Sequence, residues 1–224
     1  MLELFLIITI LLFSVIVHEY AHGLVALLLG DDTAKKAGRL SFNIMRHIDI
    51  VGTVIVPLFL LTFYLMTGSG ILFGWAKPVP IRVDNLRNPA KDYTYVSIAG
   101  SLSNIILSLV FAFILPFLMM VFDKQGTAFS IGRFICFFGV KINIILAIFN
   151  LLPIPPLDGS HILAYLLPYN LSIRYLKIAR YGILIIIFLI FTDALKYLFL
   201  FSDFLSNLLL RWMDVLGNLY GVIS

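Results

Sequence analysis

The chain has 224 residues, of which 61% are hydrophobic and only 12% charged. Soluble domains carry roughly 25% charged residues, so this composition excludes an ordinary soluble fold. The net charge of +4 is too small and scattered to indicate nucleic acid, and the single cysteine, Cys136, excludes an internal disulfide or a cysteine-rich metal site.

The first predicted element is a helix over about residues 2–29, closed by Gly30. No basic stretch precedes it, and its apolar run exceeds that of a cleaved leader, so a retained membrane helix is expected. Residues 31–49 are polar. Residues 50–67 are apolar again, TGSG follows at 67–70, and ILFGWAKPVPI occupies 71–81. A second long helix is predicted over about 93–122 and a third over 134–152. The third stops at LLPIPPLDG, where three prolines remove backbone donors. A short helix at 159–167 ends before Pro168. Two further apolar segments follow, about 176–201 and 203–221, with Ser202 and Asp203 at the turn between them. Arg211, Trp212 and Asp214 make the last one amphipathic and suited to the membrane interface. No polar insert is long enough for an appended soluble domain. The expectation is one membrane-embedded domain over 1–224, an all-α polytopic membrane protein.

The first helix carries an anomaly. His18, Glu19 and His22 lie in the second half of a run that should avoid charge, and Glu19 is one of only two glutamates in the chain. Residues four apart share a helix face, so both imidazoles can address one metal ion while Glu19 reaches a water bound to it. That pattern, His-Glu-x-x-His, suits a zinc hydrolase. Zinc lowers the pKa of a bound water to about 7, and a neighbouring carboxylate takes its proton. A buried polar cluster between helices is the plainer reading. Yet an ionisable group at mid-helix in a membrane costs roughly 2.5–3.5 kcal/mol, and three on one turn call for a compensating partner. A third ligand is needed, and Asp158, His161, His47 and Asp49 are the candidates. Asp158 is equally suited to cap the helix that follows it.

HEYAHG, together with NLLPIPPLDG (Asn150 to Gly159), resembles the site-2 protease family of intramembrane zinc metalloproteases. Asn150, Pro153, Pro155, Leu157, Asp158 and Gly159 all fit the family's second motif. FGWAKPVP at 73–80 and His47-Ile48-Asp49 resemble a compact prokaryotic branch without PDZ or CBS domains. The resemblance covers about 8–168 as a catalytic core and leaves about 171–221 as accessory. It implies one zinc per chain held by His18, His22 and Asp158, with Glu19 as general base. It also implies cleavage of peptide bonds within or near the membrane-spanning segments of protein substrates. Asn150 matches a family asparagine that holds substrate or orients the site. His47, Asp49 and His161 remain as second-rank site residues beside the metal. Two departures stand out. Ile50 occupies a position the branch gives to proline, and so does Ser101 in Ala99-Gly100-Ser101-Leu102-Ser103-Asn104.

A metal shared by His18, His22 and Asp158 requires the first and third long helices to end on one side. That parity fails if 50–67 spans the bilayer. It holds if 50–81 is a re-entrant hairpin near the active site, turning at 67–70, which gives five to six transmembrane segments in all. Irregular backbone at such depth is tolerated only against protein or a water-filled cavity. Lys35, Lys36, Arg39, Arg46, Arg82, Arg87, Lys91 and Arg174 then share one side, which basic excess marks as cytoplasmic. The returning limb, 71–81, offers an edge for an unwound substrate to pair with. Lys141 and Asn143 stand inside a membrane helix, where lysine snorkels to an end and asparagine bonds a neighbour. The rival readings are a metal-ion transporter, or a zinc-binding membrane protein without catalysis. A transport path needs successive sites, and it has no need of Glu19.

Overall fold

A computed structural model describes residues 1–56, 58–59, 62, 66, 76–122 and 126–219. Among them the regular structure is helical: α1 (Leu2–Leu28), α2 (Thr33–Lys36), α3 (Pro89–Val121), α4 (Thr127–Asn150), α5 (Asp158–Leu166), α6 (Tyr169–Leu176), α7 (Gly182–Phe191) and α8 (Leu195–Leu219). Three stretches among the described residues are long and apolar enough to cross a membrane: Leu2–Leu28, Pro89–Leu118 and Thr127–Asn150. The chain is an all-α membrane protein, as its composition indicates.

Local sequence explains the boundaries. α1 stops where Gly30 takes φ +115, a backbone that glycine adopts without strain. α3 begins with Pro89, whose missing N–H costs nothing in the first turn. α4 begins at Thr127, earlier than its apolar run suggested, because Arg133 lies exposed on the helix surface without breaking it. The C-terminal segments differ from expectation. Ser202 and Asp203 form no turn. They lie inside α8, where the buried Ser202 hydroxyl donates to the Leu198 carbonyl and Asp203 pairs with Lys141. The break falls at 192–194 instead, with Asp193 at φ 55.

α3 is the central element and packs against α1, α4, α5 and α8. Ala112 and Leu115 of α3, Cys136, Val140 and Ile144 of α4, and Leu210 of α8 form a buried apolar cluster. The outer faces carry Phe5 and Phe13, Ile106, Phe113 and Phe117, and Leu200 and Phe204, all exposed. An apolar exterior of this kind faces hydrocarbon. The polar groups turn inward instead: Ser14, Asn104 and Asn143, one from each crossing helix, are fully buried.

The end of α1 and the start of α3 lie together. The Arg87 N–H donates to the Leu29 carbonyl at 3.2 Å, and the Arg82 N–H donates to Asp31 at 2.7 Å. The end of α1 and the start of α3 therefore lie at the same end of the bundle. The expected turn at 67–70 lies outside the described residues. So does the limb from 71 to 75.

Candidate metal centre

His18 and His22 sit one turn apart on the inner face of α1, both buried. α4 ends at Asn150, and the prolines that follow carry the chain back so that α5 begins at Asp158. The return is tight, because a Cβ on Gly159 would run into the backbone of Leu151. Asp158 is the first helical residue and does not cap α5. Its carboxylate turns to the histidines, with Oδ2 3.2 Å from His18 Nε2 and 3.3 Å from His22 Nε2. The two Nε2 atoms are 3.0 Å apart.

Protons decide what these distances mean. His22 Nδ1 lies 2.7 Å from the Val96 carbonyl, which only accepts, so Nδ1 carries a hydrogen and, in the neutral ring, Nε2 keeps its lone pair. His18 Nδ1 lies 2.7 Å from Asn104 Oδ1. Asp158 Oδ2 is buried with no hydrogen-bond partner. With both rings neutral, three lone-pair atoms converge here, an arrangement that a bound cation would relieve. Zinc–nitrogen and zinc–oxygen bonds of about 2.0–2.2 Å set tetrahedral ligands roughly 3.3 Å apart. The observed triangle fits that edge length. Among the described residues it is the one group of three such side chains able to hold a metal.

Gly100 of α3 lies against this triangle. A Cβ there would fall on His22 Nε2 and within 2.5–2.6 Å of His18 Cε1 and Nε2. Glycine at this position leaves room for the two imidazoles.

Glu19 is half-buried beside His18, and its Oε2 accepts the Val79 N–H at 2.7 Å. Val79 sits between Pro78 and Pro80 on a stretch without regular structure. That stretch is tied down by the Lys77 N–H donating to the His47 carbonyl at 2.9 Å, and by Arg39 Nη2 donating to the carbonyls of Lys77 at 2.7 Å and Pro78 at 3.2 Å.

The remaining sequence candidates lie apart from the three converging atoms. His47 is buried and its Nε2 donates to the Ser41 carbonyl at 2.7 Å, so it braces the loop under the Val79 stretch. Asp49 Oδ1 accepts the Gly52 N–H at 2.8 Å and caps the turn at Ile50–Ile55. Asn150 donates back to the Leu146 carbonyl within α4. His161 packs its ring edge-on against Tyr93 at 4.7 Å. Burial pushes its imidazole below the ordinary value, against the opposing pull of Asp158. Sequence reasoning missed Gly100, Val79 and the Asn104–Asn143 pair as parts of the site. An asparagine in mid-helix was the one signal for the last.

Residues 116–192 match peptidase family M50, a stretch that contains the second motif and Asp158. YwhC of Bacillus subtilis (strain 168) is 36% identical over 195 residues, 86% of this chain and 83% of that one. Rip2 of Mycolicibacterium smegmatis is 26% identical over 185 residues, covering 83% and 66%. A Methanocaldococcus jannaschii protein is 41% identical over 70 residues, covering 31% and 32%. All three are named, provisionally, as zinc metalloproteases. No solved structure matches the chain.

Proposed function

This chain belongs to peptidase family M50, the site-2 protease family of zinc metalloproteases, and from that premise we propose that it is an intramembrane endopeptidase with one zinc per chain. Its substrates are membrane proteins, cut within or near a membrane-spanning segment. His18, His22 and Asp158 hold the metal, and Glu19 is the general base. The observation that carries the reading is the convergence of two imidazole Nε2 atoms on one buried carboxylate oxygen inside an apolar bundle, at the spacing of metal ligands.

A zinc ion bound there lowers the pKa of a coordinated water to about 7 and polarises the carbonyl to be cut. The chain supplies the rest. The Val79 N–H fixes one oxygen of Glu19, which leaves Oε1 to accept the proton from water and pass it to the leaving amine. The apolar faces of α1 and α3 exclude bulk water from the lipid side. Lys35, Lys36, Arg39, Arg46, Arg82 and Arg87 gather where α1 ends and α3 begins, which supports a cytoplasmic orientation for the end nearest the site.

Where a substrate strand pairs with the returning limb is narrowed by the Val79 stretch. The N–H groups of Lys77 and Val79 are already used, and Pro78 and Pro80 have none. This part offers no backbone donor to an incoming strand. The domain remains 1–224, with 8–168 as catalytic core and 171–221 accessory.

The test is zinc per chain in the purified protein, combined with cleavage of a membrane-spanning reporter after reconstitution. One zinc, lost in Asp158→Ala, and cleavage abolished in Glu19→Gln with zinc retained, are expected. Absence of zinc, or undiminished cleavage by Glu19→Gln, would overturn the reading.

A further inference from the structure

Ser14, Asn104 and Asn143 form a hydrogen-bonded chain behind His18, and its ends are fixed by backbone carbonyls. Asn143 Nδ2 donates to the Gly139 carbonyl at 2.8 Å. It also donates to Ser14 Oγ at 2.9 Å, an oxygen whose own proton is committed to the Ile10 carbonyl at 2.8 Å. Both partners of Nδ2 can only accept, so the Asn143 amide cannot be reversed. Its Oδ1 must then face Asn104, whose Nδ2 donates to it at 2.9 Å and to the Ser14 carbonyl at 3.3 Å. That fixes the second amide as well. Asn104 Oδ1 is left facing His18 Nδ1 at 2.7 Å, where it can only accept. His18 therefore carries a hydrogen on Nδ1, and in the neutral ring it is Nε2 that keeps the lone pair facing His22 and Asp158.

We propose that Asn143 is a positioning residue for the metal centre, acting through Asn104 to hold His18 in the tautomer that binds metal. It belongs to α4 and, on this path, meets His18 only through Asn104. All three of Ser14, Asn104 and Asn143 are fully buried. No water competes for these bonds, and a reversed Asn143 amide would set its oxygen against the Gly139 carbonyl and its N–H against that of Asn104, which is costly in such a place. His22 needs no such chain, because the Val96 carbonyl sets its tautomer directly. The two ligands are thus held by different means, one by backbone and one by a side-chain relay that joins all three crossing helices. Partners that fix the second nitrogen of a ligating histidine typically change metal affinity by about 10–100-fold when removed.

The inference rests on His18 being a metal ligand, and its test separates the two claims. Asn143→Leu conserves volume but breaks the relay. Asn143→Asp preserves it, because a carboxyl in this buried, uncharged setting stays protonated, accepts from Asn104 and donates to the Gly139 carbonyl. Zinc affinity is measured on the full-length protein in detergent by competition with a chelator, alongside its thermal melting. In zinc-free protein, the ¹⁵N shifts of the His18 ring report which nitrogen is protonated. The expected result is a zinc Kd raised about tenfold or more by Asn143→Leu, within about threefold of native in Asn143→Asp, and unchanged by Asn143→Leu when Asn104→Ala is already present. The ring should be protonated at Nδ1 in the native protein and in Asn143→Asp, and mixed in Asn143→Leu. An unmoved tautomer in Asn143→Leu, or losses that add independently to those of Asn104→Ala, would overturn the proposal. If Asn143→Leu does not fold, equal zinc loss in Asn143→Asp and Asn104→Ala overturns it instead. A native chain that binds no zinc yet shows the Nδ1 tautomer would sink the proposed function and leave the relay standing.

Discussion

The carboxylate of Glu19 and the backbone N–H of Val79 are 2.7 Å apart, although 60 residues separate them in the chain. Hydrogen bonds to charged groups contribute about 1.5–3 kcal/mol. Val79→Pro removes this donor in a segment without regular structure that two prolines already flank. It should lower kcat on a reporter substrate by about 10–100-fold and leave zinc content unchanged. Unaltered turnover with zinc in place would show that Glu19 needs no such anchor.

The sequence brought His18 and His22 onto one helix face through the local His-Glu-x-x-His spacing, while Asp158 stood out from the other candidates only through the resemblance of the second motif, and the structure brings all three together. What supports them was not legible in the sequence. Asn104 and Asn143 touch only because α3 and α4 cross at that depth, a tertiary fact that no spacing encodes. Asn143 read correctly as bonding a neighbouring helix, but its partner could not be named. Lys141 read as a residue that snorkels, yet its ammonium lies 2.8 Å from Asp203 of α8. The turn assigned to Ser202 and Asp203 failed for the same reason, since both polar side chains find partners that keep them inside a helix.

Gly100 bears directly on the ligands. Gly100→Ala puts a methyl group on the Nε2 atoms of His18 and His22, and the opposing surface is the backbone of α3, which cannot retreat without unpacking α1. Alanine is otherwise the better helix former, by about 1 kcal/mol. That gain offsets part of an overpacking cost of about 1–3 kcal/mol, so the variant should melt lower than native and bind zinc at least about 100-fold more weakly. Chelator competition measures this, and native-like affinity would contradict the packing.

Asp31 links the end of α1 to the stretch that leads from Val79 into α3. It is fully buried, and accepts from the Thr33 N–H and hydroxyl, the Arg82 N–H and Asn85 Nδ2. Burial alone would raise its pKa, but the Thr33 hydroxyl, the Asn85 amide and the two backbone N–H groups outweigh it and hold the carboxyl below its ordinary 3.8. A group depressed in the folded state contributes its stability above the unfolded pKa and loses it as pH falls through the folded one. Asp31→Asn should thus cost about 1–3 kcal/mol near neutral pH. The gap from native should narrow once pH drops below 3.8. Melting temperatures across pH test the sign, and a gap that widens in acid would contradict it.

Lys141 stands near the middle of α4, and its pairing with Asp203 sets the depth of α8 beside it. A charge left alone at mid-helix in hydrocarbon costs roughly 2.5–3.5 kcal/mol, so neither residue is expected to tolerate loss of the other. Asp203→Leu should destabilise the protein by up to about that amount, Lys141→Leu by less because Asp203 is half exposed and reaches water more readily. The double variant, which removes both charges and extends the apolar cluster of Val140 and Leu210, should recover most of the loss. Thermal melting in a bilayer mimetic gives the three values. Recovery in the double variant places α8 against α4 within the membrane. Additive losses would instead return it to the interface, where its amphipathic sequence first suggested it lay.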